Sequence, residues 1–219
     1  SINVEQVSAA TDSGETYEAE KILITVPLPI IKEIKFDSEI KIAEKIKLVD
    51  QIGFGGVIKT IIKFKTRWWE NALGKDLSKM YFLITNEKFL TWRTPSLQMK
   101  TVLVGWMAGP EVLKYKDASS EELLDIALAS LSNVFKIDKD VLAKEVATYE
   151  VINWSTDPFA RGAYSYTTFY TKDAREKLAE PIDNKIFFAG EALYSGEETS
   201  MVEGALGSGL EATNKILST

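Results

Sequence analysis

The stretch that most constrains the fold is FFAGEA, Phe187 to Ala192, with MVEGALGSGLEA, Met201 to Ala212, following after a short loop. An apolar run ends in a Gly-Glu turn, and the segment beyond it carries small residues at helical spacing. This predicts a strand over 186–189, a turn at Gly190-Glu191 and a closing helix from about 199 to 217. Glycines at 204, 207 and 209 would let either a flat ligand or a packed neighbour approach the helix backbone.

Two residue types are missing from all 219 positions: the chain has no cysteine and no histidine. Disulfides, thiolate nucleophiles and zinc knuckles are excluded, as are Ser-His triads and nearly all transition-metal sites; no metal is expected. Chemistry must then come from carboxylates, lysine, tyrosine or a bound cofactor. With 45% apolar residues and a net charge of -6 the chain can bury a core in one or two domains. Its Lys and Arg are scattered, which argues against nucleic acid as a partner. No apolar run approaches the ~18 residues of a membrane span, and SINVEQVSAATDSG has neither a basic n-region nor an h-region. A soluble chain is expected, with the cytoplasm favoured as its compartment.

Periodicity predicts a strand over 16–27, stopped by Pro27-Leu28-Pro29, and a lysine-rich surface helix over 41–50 with Ile42, Ile46 and Val49 on one side. Strands are expected over 57–64, 80–84, 101–107 and 145–154. Ser119 with Glu122 forms a capping-box start for a helix whose buried face is Leu123, Leu124, Ala127, Leu128 and Leu131. The aromatic-rich segment after Asp157-Pro158 is expected to be irregular through Tyr170, with a short helix over 173–178. Trp68, Trp69 and Trp106 are assigned to the core. Asn153-Trp154-Ser155 fits a glycosylation sequon but ends a buried strand, and Glu197-Glu198 reads as a solvated turn. The fold class is α+β: a mixed β-sheet domain with flanking helices over 34–181, with 1–33 and 182–219 belonging to a second, dinucleotide-type domain.

Four stretches together resemble the flavin-containing amine oxidase family, which includes monoamine and polyamine oxidases. They are YEAEKILITVPLPIIK (Tyr17 to Lys32), GGVIKTIIKFKTRWW (Gly55 to Trp69), WSTDPFARGAYSY (Trp154 to Tyr166) and FFAGEALYSGEETSMVEGALGSG (Phe187 to Gly209). The resemblance implies that 34–181 is a substrate-binding domain, that 1–33 belongs to an FAD-binding domain, and that 182–219 is the FAD-contacting strand and helix of that Rossmann-like domain. The GxGxxG phosphate loop of such a domain is not in the sequence; the nearest run, Gly53-Phe54-Gly55-Gly56, has Ile58 at the third glycine position. The chain thus reads as the C-terminal portion of a flavoenzyme.

The resemblance also implies site residues. Lys59, on a strand, would point at the flavin and hold a water near its reactive nitrogen; Lys59, Lys63 and Lys65 also alternate as on a solvated sheet face. Tyr164 matches the first member of an aromatic pair that cages the substrate amine, an environment that attracts a cation or packs flat against a neutral alkyl amine. A packing role for Tyr164 with Tyr166, Phe169 and Tyr170 is the alternative. The second cage position falls on Met201, leaving one aromatic and one thioether wall. Ala163 stands where one branch carries a flavin-linked cysteine, so FAD is expected to be noncovalent. Gly190, Glu191, Met201, Val202, Gly204 and Ala205 are the expected cofactor contacts, the last four where a helix N-terminus offers unpaired N–H groups.

The activity so implied is hydride transfer from an amine to FAD, with oxygen as acceptor and a small-molecule amine as substrate. An FAD-dependent desaturase or porphyrinogen oxidase would share the closing segment without the cage. A third reading is an inactive fragment or binding module that holds no FAD. With the phosphate anchor absent, little or no FAD is expected in the isolated chain.

Overall fold

The computed structural model of the protein describes residues 6–36, 42–95 and 101–219. In chain order, β1 (Val7–Ala10), β2 (Thr16–Ala19) and β3 (Ile22–Ile24) lead to the single-turn α1 (Leu28–Ile31). Next come α2 (Ile42–Val49), β4 (Gly53–Gly55), β5 (Val57–Phe64), β6 (Phe82–Ile84), β7 (Thr91–Arg93) and β8 (Val102–Ala108). They are followed by α3 (Glu111–Lys114), α4 (Ser120–Phe135), α5 (Lys139–Glu145) and β9 (Val146–Asn153). The last elements are β10 (Tyr164–Tyr166), α6 (Thr171–Leu178), β11 (Ile186–Phe188) and α7 (Val202–Ser218). The fold is α+β. It divides into two compact units, one from the described residues of Ser1–Gly55 with Pro158–Thr219, the other from those of Gly56–Asp157.

In the Gly56–Asp157 unit a five-stranded sheet runs β6-β7-β8-β5-β9, antiparallel at every junction. Strand alternation sorts β5 into two faces: Ile58, Thr60, Ile62 and Phe64 are buried, whereas Lys59 and Ile61 are half-buried and Lys63 is exposed. The buried face meets α4, whose Leu123, Ala127, Leu128 and Leu131 share one core with Ile58, Ile62 and Leu103. α4 starts as its sequence predicts. The Ser119 hydroxyl accepts from the Glu122 amide (3.2 Å), while the Glu122 carboxylate accepts from the Ser119 amide (2.8 Å). Trp69 is fully buried in this core. Trp106, also expected there, lies on the opposite face, because in β8 it alternates with the core residues Leu103 and Met107. β9, expected to be a buried strand, has no fully buried residue, and the half-buried Asn153 side chain at its end donates to the Lys116 carbonyl (2.9 Å) and accepts from the Ser155 amide (3.1 Å).

In the other unit the pairings are short. β3 pairs parallel with β11, and β1 with β2 and β4 with β10 pair antiparallel. The single strand expected over 16–27 is therefore two, since β2 and β3 belong to different sheets and the chain must change partner between them. Leu28, Ile31, Val49, Leu178, Phe188 and Leu193 are core members. Strand β10 lies inside the segment expected to be irregular. It forms because glycine at position 53 lets the Tyr166 ring lie on the partner strand: a Cβ there would fall 2.3 Å from that ring. Lys41, part of the predicted lysine-rich helix, lies outside the described residues; Lys45 within that helix is buried. Among the described residues no helix is long and apolar enough to cross a membrane.

Candidate functional site

Tyr164 opens β10, with Gly55 as its cross-strand partner, and is half-buried. The next residue, Ser165, points the other way and is buried. Its amide donates to Glu191 Oε1 (3.0 Å) and its hydroxyl to Glu191 Oε2 (2.7 Å), so the Gly190-Glu191 turn is clamped to β10 by both carboxylate oxygens. Arg175 of α6, 5% exposed, reaches the same cluster. Its Nη2 donates to Ser165 Oγ (3.1 Å) and its Nε to the Ala192 carbonyl (2.9 Å). Burial holds the Arg175 pKa below its ordinary value, and the Glu191 carboxylate opposes that shift.

Gly190 has φ +154° and open space where a Cβ would stand, a backbone that an L side chain rarely adopts. Its amide donates to Ser208 Oγ (3.1 Å), tying the turn to the middle of α7. At the start of α7, Met201 is the N-cap residue, and no side chain caps the first turn. Met201 and Val202 are exposed. A 17-residue helix whose exposed N-terminus is capped by no side-chain hydrogen bond offers N–H donors and a partial positive charge, chemistry that suits an acceptor-rich ring edge such as that of a flavin. Gly204 and Gly207 have a second duty. A Cβ on Gly204 would lie 2.3 Å from the Glu198 carbonyl, and one on Gly207 would lie 2.6 Å from the Tyr194 ring, so the 194–198 loop is seated directly on the helix. Ala205 continues the helix with its amide on the Met201 carbonyl (3.2 Å).

Seven of the eight sequence-predicted site residues, Tyr164, Gly190, Glu191, Met201, Val202, Gly204 and Ala205, thus occur in one unit, and Lys59 in the other. On its sheet Lys59 is directly opposite Trp106 of β8 and Ile152 of β9, with its Nζ 6.0 Å from the Trp106 ring centroid. That distinguishes it from Lys63, which is exposed, and from Lys65, whose Nζ donates to the Lys144 carbonyl (2.5 Å). Residues that the sequence reading missed are Ser165, Arg175, Ser200 and Ser208. The Tyr-Ser-Tyr alternation at 164–166 could have signalled an inward serine; nothing in DAREKL marks Arg175 as the buried member.

The model of the family described as flavin containing amine oxidoreductase matches residues 2–217. The chain belongs to that family. Relatives with curated names include lysine-specific histone demethylase 1 homolog 3 of Arabidopsis thaliana, 29% identical over 97% of this chain and 13% of that protein. Lysine-specific histone demethylase 2 of Homo sapiens is 30% identical over 97% of this chain and 26% of its own length. Polyamine oxidase 4 of Oryza sativa subsp. japonica is 28% identical over 95% of this chain and 41% of its own length. The chain therefore spans less than half the length of each of these relatives.

Proposed function

We propose that the protein containing this chain oxidises an aliphatic amine, the chemical feature common to the lysine and polyamine in its relatives' names. Noncovalent FAD would supply the electron sink, taking a hydride from the carbon next to nitrogen, with oxygen as the final acceptor. Tyr164 forms the aromatic wall against the substrate amine and Met201 the opposing thioether wall. Desolvation by these walls favours the neutral amine, the form whose nitrogen lone pair can assist hydride loss. Lys59 holds and orients a water for the reaction, and water hydrolyses the resulting imine. Gly190, Glu191 and the backbone of Val202 to Ala205 receive the ring end of the cofactor.

The observation that supports this reading most directly is the clamp between β10 and the Gly190-Glu191 turn. It sets the strand bearing Tyr164 beside the turn assigned to the cofactor. In the full-length protein, Lys59→Met is expected to slow anaerobic flavin reduction by an amine about 100-fold, the scale of a lost proton-handling group. Stopped-flow absorbance measures this. An unchanged rate would remove Lys59 from the chemistry and, with it, the amine oxidase mechanism as proposed.

A further inference from the structure

We infer that Ser165 and Ser200 are positioning residues that fix the separation of Tyr164 and Met201, an inference that rests on reading those two as the substrate walls. Each serine is the immediate chain neighbour of one wall. Ser200 Oγ donates to the Ser165 carbonyl (2.5 Å), so the chain neighbours of the two walls are tied through backbone and hydroxyl. Every polar group of Ser165 is engaged. Its amide and hydroxyl donate to Glu191, its hydroxyl accepts from Arg175, and its carbonyl accepts from Ser200. Charge at both ends of that chain, carboxylate and guanidinium, strengthens the bonds between.

Backbone conformation points the same way. Ser200 has φ +66°, a left-handed conformation that is costly for any residue but glycine and persists only where the surroundings enforce it. Directly after it, Met201 is extended (φ -121°, ψ 166°) as the N-cap of α7. The strained residue therefore sets the angle at which the chain enters the helix and where the Met201 side chain stands. The hydroxyl bond to Ser165 is the contact that holds it. A shift at either serine would move a wall without touching it, altering which amines fit.

The test uses the full-length flavin-loaded protein with Ser165→Ala, Ser200→Gly, Ser165→Thr, Tyr164→Ala and Met201→Ala. Glycine at 200 accepts the positive φ but lacks the hydroxyl, which separates strain from tie. Spermine and a monomethyl-lysine peptide are the probe amines, and hydrogen exchange over 199–205 is read in parallel. Ser200→Gly, which removes the bond to the Ser165 carbonyl, is expected to raise KM about tenfold with kcat nearly kept and to speed exchange at Met201 to Ala205, whereas Ser165→Ala, which keeps that carbonyl and frees β10 from Glu191 and Arg175, is expected to raise KM alone. Ser165→Thr, which keeps the hydroxyl, should restore KM. Unchanged exchange in Ser200→Gly overturns the tie, whether or not either amine is turned over. Faster exchange with unchanged KM overturns the positioning role and leaves a structural bond only. Unchanged kinetics in Tyr164→Ala and Met201→Ala, by contrast, overturns the reading of the walls and the positioning role that rests on it.

Discussion

The Lys45 ammonium closes the C-terminal end of α6. Its Nζ donates to the carbonyls of Lys177 (2.6 Å), Leu178 (3.2 Å) and Glu180 (2.5 Å), and it stands 5.3 Å from the Phe188 ring centroid. The last carbonyls of a helix lack internal partners, so a cation there satisfies them and meets the negative end of the dipole. Burial nevertheless pushes the Lys45 pKa down from 10.5 to about 8, outweighing the upward pull of Glu180, while Lys215 adds to the fall. The sign follows from proton uptake. Below about pH 8 the ammonium is present both folded and unfolded, and its burial is a cost. Between about 8 and 10.5 only the unfolded chain holds the proton, so stability rises with pH until both states are neutral. Lys45→Met should flatten that rise. The difference in urea-unfolding free energy between native and variant proteins, followed from pH 7 to 10.5, measures it; parallel curves would place the titration elsewhere. A lysine in a lysine-rich helix gives no sequence sign of this, because its partners are carbonyls contributed 132 to 135 positions later.

At the scale of elements, α7 shows how one sequence motif can carry two meanings. Its glycines read equally as a cofactor approach or as close packing. Gly204 and Gly207 are covered by the 194–198 loop, whereas Gly209 has nothing within 4 Å of a Cβ. Gly209→Ala should stabilise the helix by about 0.5–1 kcal/mol through helix propensity alone. Gly204→Ala should cost roughly 1–3 kcal/mol, because the obstructing atom is a backbone carbonyl that cannot swing away. Thermal unfolding of the two variants checks both signs. Elements fixed by local chemistry were legible in the same way: the Ser119 capping box starts α4 and alternation defines β5 over 57–64. β10 was not legible, since a three-residue strand exists only through its pairing with β4.

For the molecule as a whole, the two units hold different kinds of sheet. The antiparallel five-stranded sheet has its own core against α4. Among the described residues the parallel sheet consists of the pair β3–β11, and parallel sheets are ordinarily wider and covered on both faces. α7 leaves Val202, Leu206, Leu210 and Leu217 exposed along its length, each more than 60% accessible. A flavin gripped at its ring end alone would lose the contribution of a phosphate loop. The purified chain is therefore expected to show no flavin absorbance after gel filtration with excess FAD; a yellow, flavin-loaded chain would show that the ring end suffices.

The sequence by itself determined the family, the α+β class, the strong helix starts and the exclusion of histidine and cysteine chemistry, because these depend on residue identity and near-neighbour spacing. Tertiary structure alone decided that Trp106 leaves the core to stand beside Lys59, that Lys45 turns inward, and that Ser165, Arg175, Glu191 and Ser200 converge. Those outcomes depend on which distant groups arrive at hydrogen-bonding distance. A buried polar side chain is stable only where such partners meet it, and their meeting is a property of the packed chain rather than of any short stretch of it.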